Sequence, residues 1–395
     1  MATHIGIGFS QEADISEAAA QATLQAKEQT KQPNVDLAIV FNTAHYNPIE
    51  TLLAVRKVLP LTKVIGCSTA GIIFSEFIAM NGIGVLAITS DEIKFGTSFV
   101  KGIGSEDFRQ SGIALAQNVM TDFGSYHRSI FIMFIDGLIN NYSSFLKGLH
   151  EMLGNIFPIF GAGSSADSHF TKTYQYFQDK VMSDSAVGLL IGGQAKIGYG
   201  CKHGWNPLGK PRTINQVKDN IIQTIDNKKA IGLYEEYFLE EVKNLKLGQW
   251  EQLAIRYPLG IHIEDENEYV LRKAIDILND GSIVCQGETP EGAEAHIMIG
   301  NKESCRQAAV DAAIEARQGL QGKQPKLVLI FESLGRNKLQ GREAFKEIQS
   351  IKGILGYNTP IFGMYSHGEI APLKSEDKVR KTYLQNESII ILAIG

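Results

Sequence analysis

Leu37-Ala38-Ile39-Val40-Phe41-Asn42, followed after an amphipathic stretch by Val64-Ile65-Gly66-Cys67-Ser68-Thr69-Ala70-Gly71, is a pattern this chain spells three times. The second copy runs Ile130-Phe131-Ile132-Met133-Phe134-Ile135-Asp136 and then Pro158-Ile159-Phe160-Gly161-Ala162-Gly163-Ser164-Ser165-Ala166. The third runs Leu327-Val328-Leu329-Ile330-Phe331-Glu332 and then Pro360-Ile361-Phe362-Gly363-Met364-Tyr365-Ser366-His367-Gly368. Aligned on Gly66, Gly161 and Gly363, a hydroxyl falls three residues later in every copy: Thr69, Ser164 and Ser366. A further apolar run closes each copy, at residues 83–89, 186–191 and 388–394. The chain is built from copies of one strand-helix-strand unit.

Apolar runs this short and continuous read as strands buried on both faces, as in sheets covered by helices. The fold class is therefore α/β. The first strands end in Asn42, Asp136 and Glu332, where loops leave the carboxyl edge of the sheet and where open α/β sheets bind ligands. A glycine three residues before a hydroxyl allows positive φ or close approach of a neighbouring strand, and the hydroxyl satisfies a nearby backbone group. The same spacing also suits plain tight turns.

Composition excludes several functions. The chain has 395 residues, 44% apolar and 21% charged, more than one hydrophobic core holds. A net charge of −5 and a pI near 6.0 leave no basic stripe for nucleic acid. No apolar run approaches the roughly 18 residues of a membrane span. The first residues lack the charged start and apolar core of a signal peptide. Cys67, Cys201, Cys285 and Cys305 show no paired spacing, which predicts free thiols in a cytoplasmic protein.

Local signals predict a strand at residues 5–9, a helix at 11–31 capped by Ser10, a strand at 93–100 and a helix at 106–123. Glycine-rich residues 195–209 read as a strand entering a crossover, and Ile221, Ile222, Ile225, Ala230 and Leu233 give residues 215–241 helical periodicity. Residues 253–263, 268–278 and 281–286 alternate like antiparallel strands, so the C-terminal half carries a mixed sheet. Residues 304–320 form an alanine-rich helix. Because the last strand ends at Gly395, output is expected to pass to a separate partner.

The segments around Gly66 and Gly363, ending in Gly71 and Glu369, resemble the hallmark segments of the FIST domain in its N-terminal and C-terminal halves. Gly204-Trp205-Asn206-Pro207-Leu208-Gly209 is similar to that family's connection between halves, which implies a two-half architecture with domains at 1–210 and 211–395. The resemblance implies a sensory, small-ligand-binding protein of signal transduction, not an enzyme. It is similar to stand-alone members that bind haem, sense nitric oxide and regulate a histidine kinase. The expected partners are the ligand, a histidine kinase or other signalling protein, and a second copy of the chain.

Catalytic motifs fail: there is no P-loop, no dinucleotide fingerprint, no His-Glu-x-x-His, and the spacing of Gly66 and Gly71 does not suit a nucleophile elbow. Cys67 is a buried small residue or an activated thiol. Without Cys-x-x-Cys-His, any haem b is held by shape and an axial ligand. His203 beside Trp205 is the first candidate for the iron ligand, His367 beside Tyr365 the second and His45 the third, with Tyr199 and Phe160 as wall. A histidine hydrogen-bonded at a domain junction is the alternative. A second reading, without haem, holds a small polar metabolite such as an amino acid at the glycine loops, with Asp136 or Glu369 on its ammonium group. A third is hydrolysis at Ser366 assisted by Glu369.

Overall fold

The computed structural model describes residues 3–105, 107–139, 141–165, 172–243, 249–263, 268–373 and 381–395. The first unit holds β1 (Thr3–Ser10), α1 (Ile15–Thr30), β2 (Leu37–Thr43), α2 (Pro48–Val58), β3 (Lys63–Thr69), the hairpin β4 (Gly71–Phe74) and β5 (Ile78–Ala79), and β6 (Ile83–Ser90). The second repeats it as β7 (Ile93–Lys101), α3 (Phe108–Phe123), β8 (Arg128–Asp136), α4 (Tyr142–Leu153), β9 (Ile159–Ser164), the hairpin β10 (Gln175–Phe177) and β11 (Lys180–Met182), and β12 (Ser185–Gly193).

The third unit opens with β13 (Ile197–Lys202) and is interrupted by an inserted sheet. That insertion contains β14 (Asn206–Lys218), β15 (Ile221–Ile225), β16 (Lys228–Lys229), α5 (Gly232–Lys243), α6 (Gln249–Arg256), β17 (Leu259–Ile263), β18 (Glu268–Arg272), β19 (Ala274–Ile277), β20 (Ile283–Cys285) and β21 (Glu294–Ile299). The unit resumes with α7 (Lys302–Gly319), β22 (Leu327–Ser333), α8 (Leu334–Gln340), α9 (Phe345–Leu355), β23 (Ile361–Ser366), the hairpin β24 (Glu369–Pro372) and β25 (Thr382–Gln385), and β26 (Ile389–Ile394).

The three units exchange hairpins. Sheet orders are β1-β6-β2-β3-β10-β11, β7-β12-β8-β9-β24-β25 and β13-β26-β22-β23-β4-β5. The first unit's hairpin therefore completes the third sheet, the second unit's the first, and the third unit's the second, closing a cycle. The two halves implied by the family resemblance share sheets, and the expected boundary at 210/211 falls inside β14. In each unit the two strands flanking the glycine segment's helix are parallel and the rest antiparallel, so all three sheets are mixed.

Alternation explains the apolar runs. Leu37, Ile39 and Phe41, with Ile130, Ile132 and Phe134 and with Leu327, Leu329 and Phe331, meet in one core shared by the three sheets. Phe134 makes edge contacts with Phe41 at 5.4 Å and with Phe331 at 5.9 Å. The intervening residues, Val40, Met133 and Ile330 among them, pack under their own unit's helices. Gly66, Gly161 and Gly363 lie within strands, opposite Val40, Met133 and Ile330. A Cβ on them would stand 1.9, 2.2 and 2.3 Å from those residues' carbonyl oxygens, so close approach is what they provide.

Several sequence expectations change. Residues 215–241 are the end of β14, then β15 and β16, followed by α5, because Asp219, Asp226 and Asn227 take positive φ and turn the chain. Residues 249–256 are helix α6, and strand begins only at Leu259. Ser10 lies in β1, and Asp14 caps α1 by accepting from the Glu17 N–H at 2.8 Å. Ala166 lies outside the described residues. Among the described residues no helix is long and apolar enough to cross a membrane.

Candidate functional site

The polar strand ends are not equivalent. Aligned through the glycine partners Val40, Met133 and Ile330, Asn42 corresponds to Glu332, whereas Asp136 corresponds to Thr43 and Ser333. One residue of offset turns a strand side chain to the opposite face. Asn42 is 1% exposed, accepts from the Tyr176 hydroxyl and donates to Tyr46 O at 2.8 Å. Glu332 is fully buried with Arg336 and Glu347. Asp136 lines a cleft.

The hydroxyl loops converge on one another. Thr69 donates to Tyr365 O at 2.8 Å, and Ser165 donates to the same oxygen at 2.6 Å while accepting from Ala70 N at 2.9 Å. His367 N donates to Gly163 O at 3.1 Å. The loops of all three units thus form a knot whose hydroxyls are buried: Thr69 and Ser164 at 0% exposure and Ser366 at 1%. Ser366 donates to Glu369 Oε1 at 2.7 Å, and burial pushes the Glu369 carboxyl well above the ordinary range. Burial likewise pushes the Cys67 thiol up, which disfavours a thiolate there.

A cleft of about 600 Å³ opens between the second unit and the inserted sheet. The second unit contributes Asp136, Leu138 and Asp184, and the insertion contributes Asp219, Asn220 and Glu288. Asp136 Oδ1 accepts from Leu138 N at 3.0 Å and from the Thr173 hydroxyl at 2.9 Å, and Oδ2 accepts from Asp184 N at 2.8 Å. The chain of bonds continues inward: Gln175 Nε2 donates to Thr173 Oγ1 at 3.2 Å and to Ser164 Oγ at 3.0 Å. Asp136 is therefore wired to the knot. A second cavity of about 540 Å³ adjoins the cleft and shares Glu288 with it.

The haem candidates fall in separate places. His203 and Trp205 line a cavity of about 310 Å³ that includes neither Tyr365 nor His367. His203 Nδ1 accepts from Trp205 N at 2.9 Å, and the Tyr269 backbone lies beside the ring. Lys202, Glu268, Gln307 and Asp311 line the cavity where a macrocycle needs apolar faces. These residues do not fit haem, and His203 is a junction histidine. Tyr365 and His367 are buried at the knot, His45 is exposed, and Tyr199 packs on Phe160 in the shared core at 4.7 Å. Among the described residues no group of three or more His, Cys, Asp or Glu is placed to hold a metal.

Burial, then Arg336 and Lys202, lowers His203 to about 4. The folded protein keeps this ring neutral while the unfolded chain protonates it near the ordinary 6.5, so its contribution to stability holds above that value and is lost as pH falls toward 4. The stability advantage of wild type over His203→Asn in urea unfolding is expected to shrink from pH 7 to pH 5. An advantage that grew on acidification would show that the folded ring is charged.

Two residues escaped sequence reading. Arg336, fully buried, donates to the carbonyls of His203 and Cys305 (the latter at 2.8 Å) and pairs with Glu347 at 2.5 Å. The only local signal for it is the four-residue spacing from Glu332 across the strand-to-helix turn capped by Ser333. Arg272, 8% exposed in the insertion, has no such signal.

A FIST N domain model matches residues 36–228 and a FIST C domain model residues 230–372. An uncharacterized protein of Methanocaldococcus jannaschii is 23% identical over 311 residues, 74% of this chain, and the match spans 58% of that relative's length. Two cyanuric acid hydrolase structures, one from A. caulinodans, are distant likenesses. The first has a TM-score of 0.38 at 7% identity over 99% of each chain. The second has a TM-score of 0.36 at 8% identity over 100% of each chain. With both halves matched in order, the chain belongs to the FIST family, whose domains are small-ligand sensory modules of signal transduction.

Proposed function

We propose that the protein senses a small amine-bearing polar metabolite, an amino acid being the simplest, in the cleft between the second unit and the inserted sheet. A separate histidine kinase or other signalling protein reads the result. The observation that carries this reading is that Asp136, Asp184, Asp219 and Glu288 face one cleft of about 600 Å³ and none of them pairs with a Lys or Arg among the described residues. Carboxylates gathered at a cleft without close ion-pair partners favour a cationic group. Asp136 carries the signal inward through Thr173, Gln175 and Ser164 to the knot that joins all three units. A ligand that binds one arrangement of the insertion and the three sheets better than another shifts the population between them.

Binding rather than turnover is supported by the burial of both nucleophiles the sequence suggested: Ser366 is bonded to Glu369, and burial pushes the Cys67 thiol up. The test is a thermal-shift screen of the standard amino acids and short primary amines, followed by calorimetry. Asp219→Ala and Glu288→Gln are each expected to weaken the best ligand about tenfold, or about 1.4 kcal/mol. If no amine binds, or if both variants bind unchanged, the reading fails.

A further inference from the structure

The cavity beside the acidic cleft has the opposite character. Its volume is about 540 Å³, and Leu146 from α4, Ile261 and Ile263 from β17, Val270 from β18 and Leu384 from β25 give it apolar walls. Arg272 lies in that wall, 8% exposed. Its Nε donates to Glu288 O at 2.7 Å, and Nη1 donates to Leu271 O at 2.9 Å and to Leu384 O at 3.0 Å. Those bonds are to neutral carbonyls. Nη2 makes no hydrogen bond, and no carboxylate lies within ion-pair distance of the guanidinium among the described residues. A buried cation without a counter-ion is costly, and proteins ordinarily supply one.

Two further polar atoms in the same wall lack partners. Thr382, 5% exposed, has a buried Oγ1 with no hydrogen bond, and so does Nε2 of His150. Lys147 and Lys381 also line the cavity, and Glu288, shared with the acidic cleft, is its only carboxylate among the described residues. Cationic groups and orphaned hydrogen-bonding atoms thus meet in an apolar slot. Burial lowers the Arg272 guanidinium to about 10, against the opposing pull of nearby Cys285 and Glu288.

We propose that this cavity is a second ligand site, for a small carboxylic acid with an apolar body, whose carboxylate pairs with Arg272 Nη2 and the Thr382 hydroxyl while its body lies against Ile261, Ile263, Val270 and Leu384. It goes beyond the amine site and is separate from it in chemistry. The shared Glu288 makes the two sites neighbours, and occupation of one alters the wall of the other. Both sites join the inserted sheet to the repeated units, the first through Asp136 and the second through Leu146 and His150 of the second unit's helix and Leu384 of the third unit's hairpin.

The test uses the full chain and sodium hexanoate as probe, with hexanamide and hexylamine as controls of the same body, followed by calorimetry and thermal shift. Hexanoate is expected to bind and to raise the melting temperature, with hexanamide at least tenfold weaker and hexylamine without effect at this site. Arg272→Gln is expected to abolish hexanoate binding. Because that variant also removes three internal hydrogen bonds, Ile263→Trp, which fills the slot and leaves Arg272 in place, is the second variant and is expected to block hexanoate equally. Equal binding of hexanoate and hexanamide, no hexanoate binding by wild type, or full binding by Ile263→Trp would each overturn the proposal. Amine binding that is lost in Asp219→Ala but kept in Ile263→Trp separates the two sites. Loss of the amine site with hexanoate still bound sinks the amine reading alone.

Discussion

Arg336→Met is expected to lower stability by about 3–5 kcal/mol, read as a fall in the urea midpoint at unchanged slope. The guanidinium is fully buried. Glu347, also fully buried, is its ion-pair partner at 2.5 Å. Burial, and then Glu347 beside it, pushes the Glu332 carboxyl well above its ordinary value, so the two carboxyls share one buried cation. Removing the cation leaves the Glu347 carboxylate uncompensated in the interior, and the carbonyls of His203 and Cys305 lose their donor. Breaking a buried pair costs more than never having had it. Arg336→Met combined with Glu347→Leu is therefore expected to recover a large part of the loss. A single variant that costs under about 1 kcal/mol, or a double variant no better than the single, would show that the network does not work as a charge pair. The site matters beyond stability, because Arg336 ties the root of the inserted sheet at His203 to α7 and to the end of β22.

Gly66→Ala is expected to cost about 3 kcal/mol or more and to leave little folded protein at physiological temperature. Its added Cβ would stand 1.9 Å from Val40 O and 2.8 Å from Val40 C, both backbone atoms of the parallel neighbour. Backbone in the middle of a sheet cannot yield as the end of a flexible side chain can, and φ of +155° adds strain for any residue with a Cβ. Gly124→Ala is the control. It also has positive φ, +74°, but nothing lies within 4 Å of the added carbon, so its cost is expected to be about 1 kcal/mol, from the backbone alone. Equal losses at the two positions would mean that conformation rather than close packing decides at Gly66.

The offset at Asp136 shows where sequence reading works and where it stops. As ends of apolar runs Asn42, Asp136 and Glu332 form one class, yet the glycine register separates Asp136 from the other two, and Asp136 faces the cleft. The glycines were the better ruler because their spacing is enforced by strand contact, whereas a polar residue ends a strand for many reasons. Residues 215–241 failed for a related reason: isoleucines spaced for a helix sit between Asp219 and the Asp226-Asn227 pair, and positive φ at those turns overrides the periodicity.

What the sequence determined by itself is the unit: three strand-helix-strand copies with buried strands and glycines at strand contacts, and membership of the FIST family through motifs inside those copies. These are short-range facts, carried by apolar runs and spacings within a few tens of residues. Tertiary structure decided how the copies close on one another. Thr69 meets Tyr365 across 296 residues, and Arg336 reaches His203 across 133. Arg272 meets Leu384 across 112 residues, in a cavity walled by the insertion, the second unit's helix and the third unit's hairpin. No local propensity encodes such partners. They are chosen by the hairpin exchange, which fixes every sheet edge only when all three units are folded together.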